Sequence, residues 1–250
     1  MEPRFSASLN LYIRSTLYWL IFLLLTVIFG TLIILLFFIP SAQRVQLLTY
    51  YGHSNLWFLK KICNLDYEIK GIQHLTDKNA IVLCKHQSIW ETIALLTFIP
   101  HGRFVFKREL MFIPFFGWAL ALTDMIAINR SKGRKSVHQL VSEGTLKLQQ
   151  GKWILLFPEG TRTTPGTENK YKIGGALLAE KSGYPVLPIA HNAGDFWLRN
   201  SMIKLPGTIT VHIGPSIESV DKNAQTILDE TKQWIEYKMT QINKKTQTQL

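Results

Sequence analysis

Acidic residues are scarce in this 250-residue chain: 17 aspartates and glutamates stand against 28 lysines and arginines, for a formal net charge of +11. The imbalance points away from basic partners and toward anions, whether nucleic acid, anionic lipid headgroups or phosphorylated substrates. Charge alone does not choose among them, but no nucleic-acid recognition motif is present. Cysteine is nearly missing. Cys63 and Cys84 stand in apolar surroundings at no disulfide or metal-ligand spacing, which excludes a disulfide framework and fits two buried thiols in a reducing compartment. The sequence also lacks internal repeats, low-complexity tracts and a Ser/Gly-rich linker, and its length suits one α/β core with an appendage. Apart from His86, the histidines (His53, His74, His101, His138, His191 and His212) are scattered and form no His-Glu-x-x-His pattern, so no metal is expected.

Charge is absent altogether from Leu17 to Ile39, a run long enough to cross a hydrocarbon core. It is too long for the apolar region of a secretory signal, and no small-residue cleavage site follows it before Arg44, so it is expected to remain as an anchor. Gly30 sits inside the run and Pro40 ends it. From Ser41 to Leu65, residues Val45, Leu48, Leu56, Leu59 and Ile62 recur at mostly helical spacing among Arg44, Lys60 and Lys61. Two readings stand side by side: an amphipathic helix lying at the interface, or a single span followed by an ordinary surface helix. Flanking charges, Arg4 and Arg14 before the run and Arg44, Lys60 and Lys61 after it, are too balanced to orient a span, which favours a helical hairpin dipping into one leaflet, with Gly30 and Pro40 loosening its geometry, over a full crossing. Residues 1–65 are therefore expected to be a membrane anchor, containing an apolar helix over 17–39, and residues 66–250 the α/β domain.

Beyond Leu65 short apolar segments alternate with helical ones. Strands are expected at Tyr67–Lys70, Ala80–Cys84, Arg103–Phe106, Met125–Asn129, Trp153–Phe157, Val186–Ala190 and Thr208–Ile213. Helices are expected at Trp90–Phe98, around Phe115–Leu122, and at Lys135–Gln150, Gly175–Lys181 and Ala224–Ile242, with a polar frayed tail after Lys244. That alternation predicts an α/β sheet flanked by helices, with functional groups at the loops leaving the strand ends. His86 and Glu159 fall in such loops.

The first of these loops reads Lys85-His86-Gln87-Ser88-Ile89-Trp90-Glu91. A histidine within reach of a carboxylate makes a general base at neutral pH, and Ser88 capping the next helix would bring Glu91 into its first turn beside the ring. Ser88-x-x-Glu91 is equally a capping box, with the carboxylate returned to the Ser88 N–H, and the two roles are compatible. The second loop, Phe157-Pro158-Glu159-Gly160-Thr161-Arg162, leaves an apolar strand. Glycine lets the backbone turn, and an arginine fork suits a phosphate. By itself it is also an ordinary strand exit with a solvated arginine. Lys170 and Lys172, near the Gly174-Gly175 helix start, either add positive potential or belong to a solvated loop.

Taken in order with Phe106-Lys107-Arg108-Glu109-Leu110 and with Val186-Leu187-Pro188-Ile189-Ala190-His191-Asn192-Ala193-Gly194, the two loops resemble the glycerolipid acyltransferase family over roughly Ala80 to Gly194. The resemblance implies that family's mixed sheet flanked by helices. It also implies a membrane enzyme, with its domain on the cytoplasmic side of a bacterial inner membrane, acting without a cofactor. The implied reaction moves a fatty acyl group from acyl carrier protein or coenzyme A to the sn-2 hydroxyl of lysophosphatidic acid. His86 would be the general base and Glu91 its carboxylate partner. Lys107, Arg108, Glu159, Gly160, Thr161 and Arg162 would form the phosphate site, with Glu159 positioning, and Pro188 would belong to the acyl-donor region. The implied partners are membrane lipids, lysophosphatidic acid and the carrier thioester, and not nucleic acid. The commonest family pattern has aspartate where this chain has Glu91, which puts the carboxylate's geometry in question more than the reaction. Another lysolipid acceptor, or an inert protein binding anionic lipid, are the alternatives.

Overall fold

The computed structural model describes residues 8–76 and 78–248, with side chains through Ile242; Arg4 lies outside them. Two long helices, α1 (Leu9–Leu35) and α2 (Ser41–Cys63), precede the first strand, β1 (Leu65–Lys70). There follow β2 (Ile81–Cys84), α3 (Trp90–Phe98), β3 (Gly102–Lys107), α4 (Phe116–Leu122), β4 (Ile126–Ile128), α5 (Arg134–Gln149) and β5 (Trp153–Leu156). The chain ends with α6 (Gly174–Ser182), β6 (Val186–His191), α7 (Ala193–Phe196), β7 (Gly207–Ile213) and α8 (Ala224–Thr248). The strands form one sheet in the order β1-β7-β6-β2-β5-β3-β4. Strands β6, β2, β5, β3 and β4 are mutually parallel; β7 pairs antiparallel with β6 and parallel with β1, so the sheet is mixed.

Period-two alternation along buried strands decides what each face meets. Val82 and Cys84 of β2 join Leu155, Leu187 and Ile189 against α2 and α3, while Ile81 and Leu83 join Ile154, Val186 and Ala190 against α5, α6 and α8. The first of these cores also takes in Tyr18 of α1 and Leu56, Leu59 and Cys63 of α2. The two N-terminal helices thus close one face of the sheet as well as preceding it.

Helix α1 starts earlier and stops sooner than the uncharged run. Ser8 caps it, its hydroxyl accepting from the Leu11 N–H at 3.4 Å. After Leu35 the chain tightens through Phe37 N–H to Ile34 and Ile39 N–H to Leu36 carbonyls, and Pro40 then caps α2. Arg44 locks this turn by donating to the Phe37 carbonyl at 2.7 Å, to the Ile39 carbonyl and to the Leu122 carbonyl at 2.7 Å. At the other end of the chain, α8 continues through Thr248, so residues 244–248 are helical where a frayed tail is expected. Lysine and glutamine there are good helix formers and carry the helix on.

Where Gly30 crosses the start of α4 the backbones touch: a Cβ at Gly30 would lie 2.9 Å from the Phe115 carbonyl oxygen. Phe115 itself has φ 60° and ψ −58°, the centre of a tight turn closed by the Phe116 N–H on the Pro114 carbonyl at 2.7 Å. Gly30→Val should push α1 off this turn and cost about 1–3 kcal/mol. A thermal unfolding midpoint in detergent several degrees below wild type is the expected reading; an unchanged midpoint would mean that the crossing is not tight.

Candidate active site

β2 delivers its exit residues to opposite sides. Lys85 follows the Ile81–Leu83 face and points to α8; His86 follows the Val82–Cys84 face and meets α3. His86 Nδ1 lies 2.8 Å from Glu91 Oε1, as the spacing in the first loop anticipates. The same carboxylate oxygen accepts from the Gln87 N–H at 2.8 Å and the Ser88 N–H at 2.7 Å. The helix-capping and histidine-pairing roles therefore meet on one atom. Burial alone would raise the Glu91 carboxyl, which is 1% exposed, but His191, His86 and the Ser88 N–H overcome it and hold its pKa below the ordinary value.

The histidine's ring and backbone are fixed from three further sides. Phe157 stacks on the imidazole at 4.0 Å between centroids with the planes 11° apart. Glu159 Oε2 accepts the His86 N–H at 2.7 Å, and Thr163 donates to the His86 carbonyl through its N–H at 2.7 Å and its hydroxyl at 3.0 Å. Nδ1 being engaged, Nε2 makes no hydrogen bond among the described residues, and the ring is partly open to solvent. This is the arrangement of a histidine that can take a proton at Nε2 while a carboxylate steadies the cation at Nδ1.

Glu159 is buried behind His86 and cannot face an anion in solvent. Its second oxygen is 2.7 Å from the ammonium of Lys85, a lysine 1% exposed that no sequence motif marks out. Burial opposes the charge on Lys85, yet Glu159 and Glu236 outweigh it and raise its pKa. For Glu159 burial prevails over Lys85 and the His86 N–H, leaving its pKa raised. Glycine at 160 is required: its φ is +69°, and a Cβ there would reach within 2.6 Å of Lys172 Nζ. Thr161 is exposed. Arg162 is half-buried; its guanidinium forms no hydrogen bond or ion pair among the described residues, while its carbonyl accepts from Arg199 at 2.8 Å.

Lys107 ends β3 and Arg108 opens the 3-10 turn Arg108–Phe112; both are exposed, at the same sheet edge as His86, and Lys107 is 3.8 Å from Glu109. Arg130, unforeseen from the sequence, follows β4 and donates to the Gly160 carbonyl. Lys172 is likewise drawn against Gly160, whereas nothing places Lys170 there. Pro188 lies in the sheet interior opposite Leu83, backed by Gly214. Arg130 and Lys172 thus flank the turn that ends in Arg162, and Lys107 and Arg108 leave the neighbouring strand β3 at the same end of the sheet.

Residues 66–192 match the family model described as Acyltransferase. The chain belongs to the acyltransferase family. It is 38% identical over 239 residues to the 1-acyl-sn-glycerol-3-phosphate acyltransferase of Pseudomonas aeruginosa, covering 92% of each chain. The enzyme of that name from Limnanthes alba is 28% identical over 85% of this acyltransferase and 75% of its own length. The fold matches the crystal structure of the 1-acyl-sn-glycerophosphate acyltransferase of Thermotoga maritima with a TM-score of 0.75 at 20% identity, covering 92% of this acyltransferase and 97% of that chain. The family match takes in His86, Glu91, Arg130 and the Phe157–Arg162 turn, and it stops before α7, β7 and α8.

Proposed function

We propose that this acyltransferase moves a fatty acyl group from a thioester, carried by acyl carrier protein or coenzyme A, to the sn-2 hydroxyl of lysophosphatidic acid, giving phosphatidic acid. The observation that carries the chemistry is His86, held at Nδ1 by a buried carboxylate with Nε2 free. In the reaction Nε2 takes the hydroxyl proton as the oxygen attacks the thioester carbon, and Glu91 stabilises the imidazolium. The C–O bond forms, the C–S bond breaks, and the departing sulfur takes the proton from the imidazolium. No acyl-enzyme is needed: Cys84 is fully buried, and burial pushes its thiol well above its ordinary pKa. The acceptor is supported by the relatives' names and by Arg162, whose guanidinium is unpaired among the described residues and which closes the turn whose Gly160 meets Arg130 and Lys172. Lys107 and Arg108 add positive charge at the mouth, and Glu159 positions His86 from behind. Strand β6, which carries Pro188, would line the region that seats the donor.

Arg162→Ala should raise the Michaelis constant for lysophosphatidic acid about tenfold or more, from the loss of roughly 1.5–3 kcal/mol of charge-assisted hydrogen bonding. The constant for the thioester should barely move. A raised donor constant with an unchanged acceptor constant would assign Arg162 to the carrier instead.

The reading includes a site at the bilayer surface. α1 is long and apolar enough to cross a membrane. Its stripe of Ser15, Tyr18, Gly30 and Ile33 is buried, however, while Leu17, Leu20, Leu24, Ile28 and Leu35 are exposed along the opposite face. Trp19 donates to the Met202 carbonyl at 3.1 Å, and the Lys204 ammonium sits 3.8 Å from the Trp19 ring centroid. Gly30 abuts Phe115. A helix fastened to the domain at both ends cannot stand across a bilayer without drawing that domain in. The outer face of α1, together with Phe112 at 77% and Trp118 at 49% exposure, is therefore assigned to one leaflet. The domain is proposed to face the cytoplasm at a bacterial inner membrane.

A further inference from the structure

We propose that Glu236, on the C-terminal helix α8, is a positioning residue for acyl transfer, acting through Lys85 and Glu159 on the backbone of His86. The chain of contacts is continuous. Glu236 Oε1 is 2.8 Å from Lys85 Nζ, which is 2.7 Å from Glu159 Oε1, and the other oxygen of Glu159 holds the His86 N–H at 2.7 Å. Tyr171, itself buried, donates its hydroxyl to Glu236 Oε1 at 2.9 Å and so fixes the carboxylate on the lysine. The next residue, Lys172, donates its N–H to the Pro158 carbonyl at 2.7 Å, which ties the same corner to the turn carrying Glu159 and Gly160. Glu236 lies 44 residues beyond the segment that matches the family, 66–192, so nothing in that match assigns it a role.

The arrangement has a physical requirement. Lys85 extends from the residue before His86 into the α8 face of the sheet, where a lone buried ammonium would be costly. With Glu159 alone the pair would be neutral and could shift as a unit. The second carboxylate fixes the ammonium in space, and through it the aim of Glu159. Two carboxylates share one lysine, so the cluster carries a net charge of about −1 when all three are ionised. The groups facing Glu159 are Lys85 and Cys84 from the exit of β2, the His86 N–H, Glu236 from α8 and Tyr171 from the approach to α6. Glu236 adds to the burial that keeps Glu159 high, against Lys85. Glu159 must be ionised to pair with the Lys85 ammonium at one oxygen while the other accepts the His86 N–H, so acidification should loosen the hold on His86 as Glu159 protonates. Neutralising Glu236 should move that loss to lower pH.

The inference rests on the acyl-transfer reading, and the test separates the two. Full-length wild type, Glu236→Gln and Glu236→Ala are assayed in lipid vesicles with lysophosphatidic acid and an acyl thioester across pH 5–9, with thermal unfolding measured on the same samples. Glu236→Ala, which removes the anchor, should lower kcat roughly 10–100-fold with little change in the acceptor Michaelis constant. Glu236→Gln keeps an acceptor for Tyr171 and Lys85, so it should recover most of that loss while the acid limb of its kcat/KM profile moves to lower pH. If wild type makes no phosphatidic acid, the reading of the reaction fails. If wild type is active and both variants match it per folded molecule in kcat and pH profile, the role assigned to Glu236 is overturned and the residue only braces α8.

Discussion

His86→Ala is expected to lower kcat by at least about a hundredfold, the low end for removal of a positioned general base. Folding should survive the change. Glu91 Oε1 keeps the Gln87 and Ser88 N–H groups as partners, so no buried carboxylate is stranded, and the backbone bonds of residue 86 to Glu159 and Thr163 do not depend on its side chain. The comparison is between initial rates and unfolding midpoints of the purified variant and wild type in the same vesicles. Turnover within a few-fold of wild type would rule out His86 as the proton acceptor.

Glu91 carries two loads on one oxygen, and two substitutions separate them. Glu91→Gln retains a neutral acceptor for the Gln87 and Ser88 N–H groups, so helix α3 should keep its start. The amide cannot offset the imidazolium charge, and its NH2 would occupy the place of Oε2, 3.9 Å from the Nε2 of His191. That nitrogen already lies 2.8 Å from the Lys85 carbonyl, as a donor. A loss of roughly a hundredfold or more in kcat is expected, with stability, read from the unfolding midpoint, lowered only by the one buried NH2 left without an acceptor, about 1–3 kcal/mol. Glu91→Ala should lose as much activity and also stability, at about 1–3 kcal/mol for each buried N–H left without a partner. A fully active Glu91→Gln beside a destabilised Glu91→Ala would make the carboxylate a helix cap and nothing more.

Much of this site is readable from the chain because its parts are local. His86 and Glu91 meet across the short loop that opens α3, and the Ser88-x-x-Glu91 pattern, in which Glu91 Oε1 accepts the Ser88 N–H, is written in adjacent residues. The seven strands declare themselves as short apolar runs between helical ones, since a strand covered on both faces can carry little else. What the sequence withholds is what only the sheet brings together. Strand order, and the reversal between β6 and β7, leave no mark on periodicity. Lys85 looks like one more polar residue beside His86, although period two already turns it to the opposite face; its partners Glu159 and Glu236 are 74 and 151 residues away. Thr163, which holds the His86 carbonyl, and Arg130, which meets Gly160, are likewise distant in sequence and ordinary in type. His191 stands in a recognisable block, but its place beside Lys85 and Glu91 appears only once β6 lies next to β2. α1 is ambiguous for another reason: it is long and apolar enough to cross a membrane, yet one stripe of it meets the domain while the opposite face is exposed, and periodicity cannot separate two faces that are both apolar.

The most direct test of the account is product formation by the purified full-length protein in vesicles, supplied with lysophosphatidic acid and an acyl thioester of either carrier. Phosphatidic acid carrying the new chain at sn-2, formed by wild type and not by His86→Ala, is the predicted result. No phosphatidic acid with either carrier, from protein that is folded and vesicle-bound, or product formed equally well by His86→Ala, would contradict it.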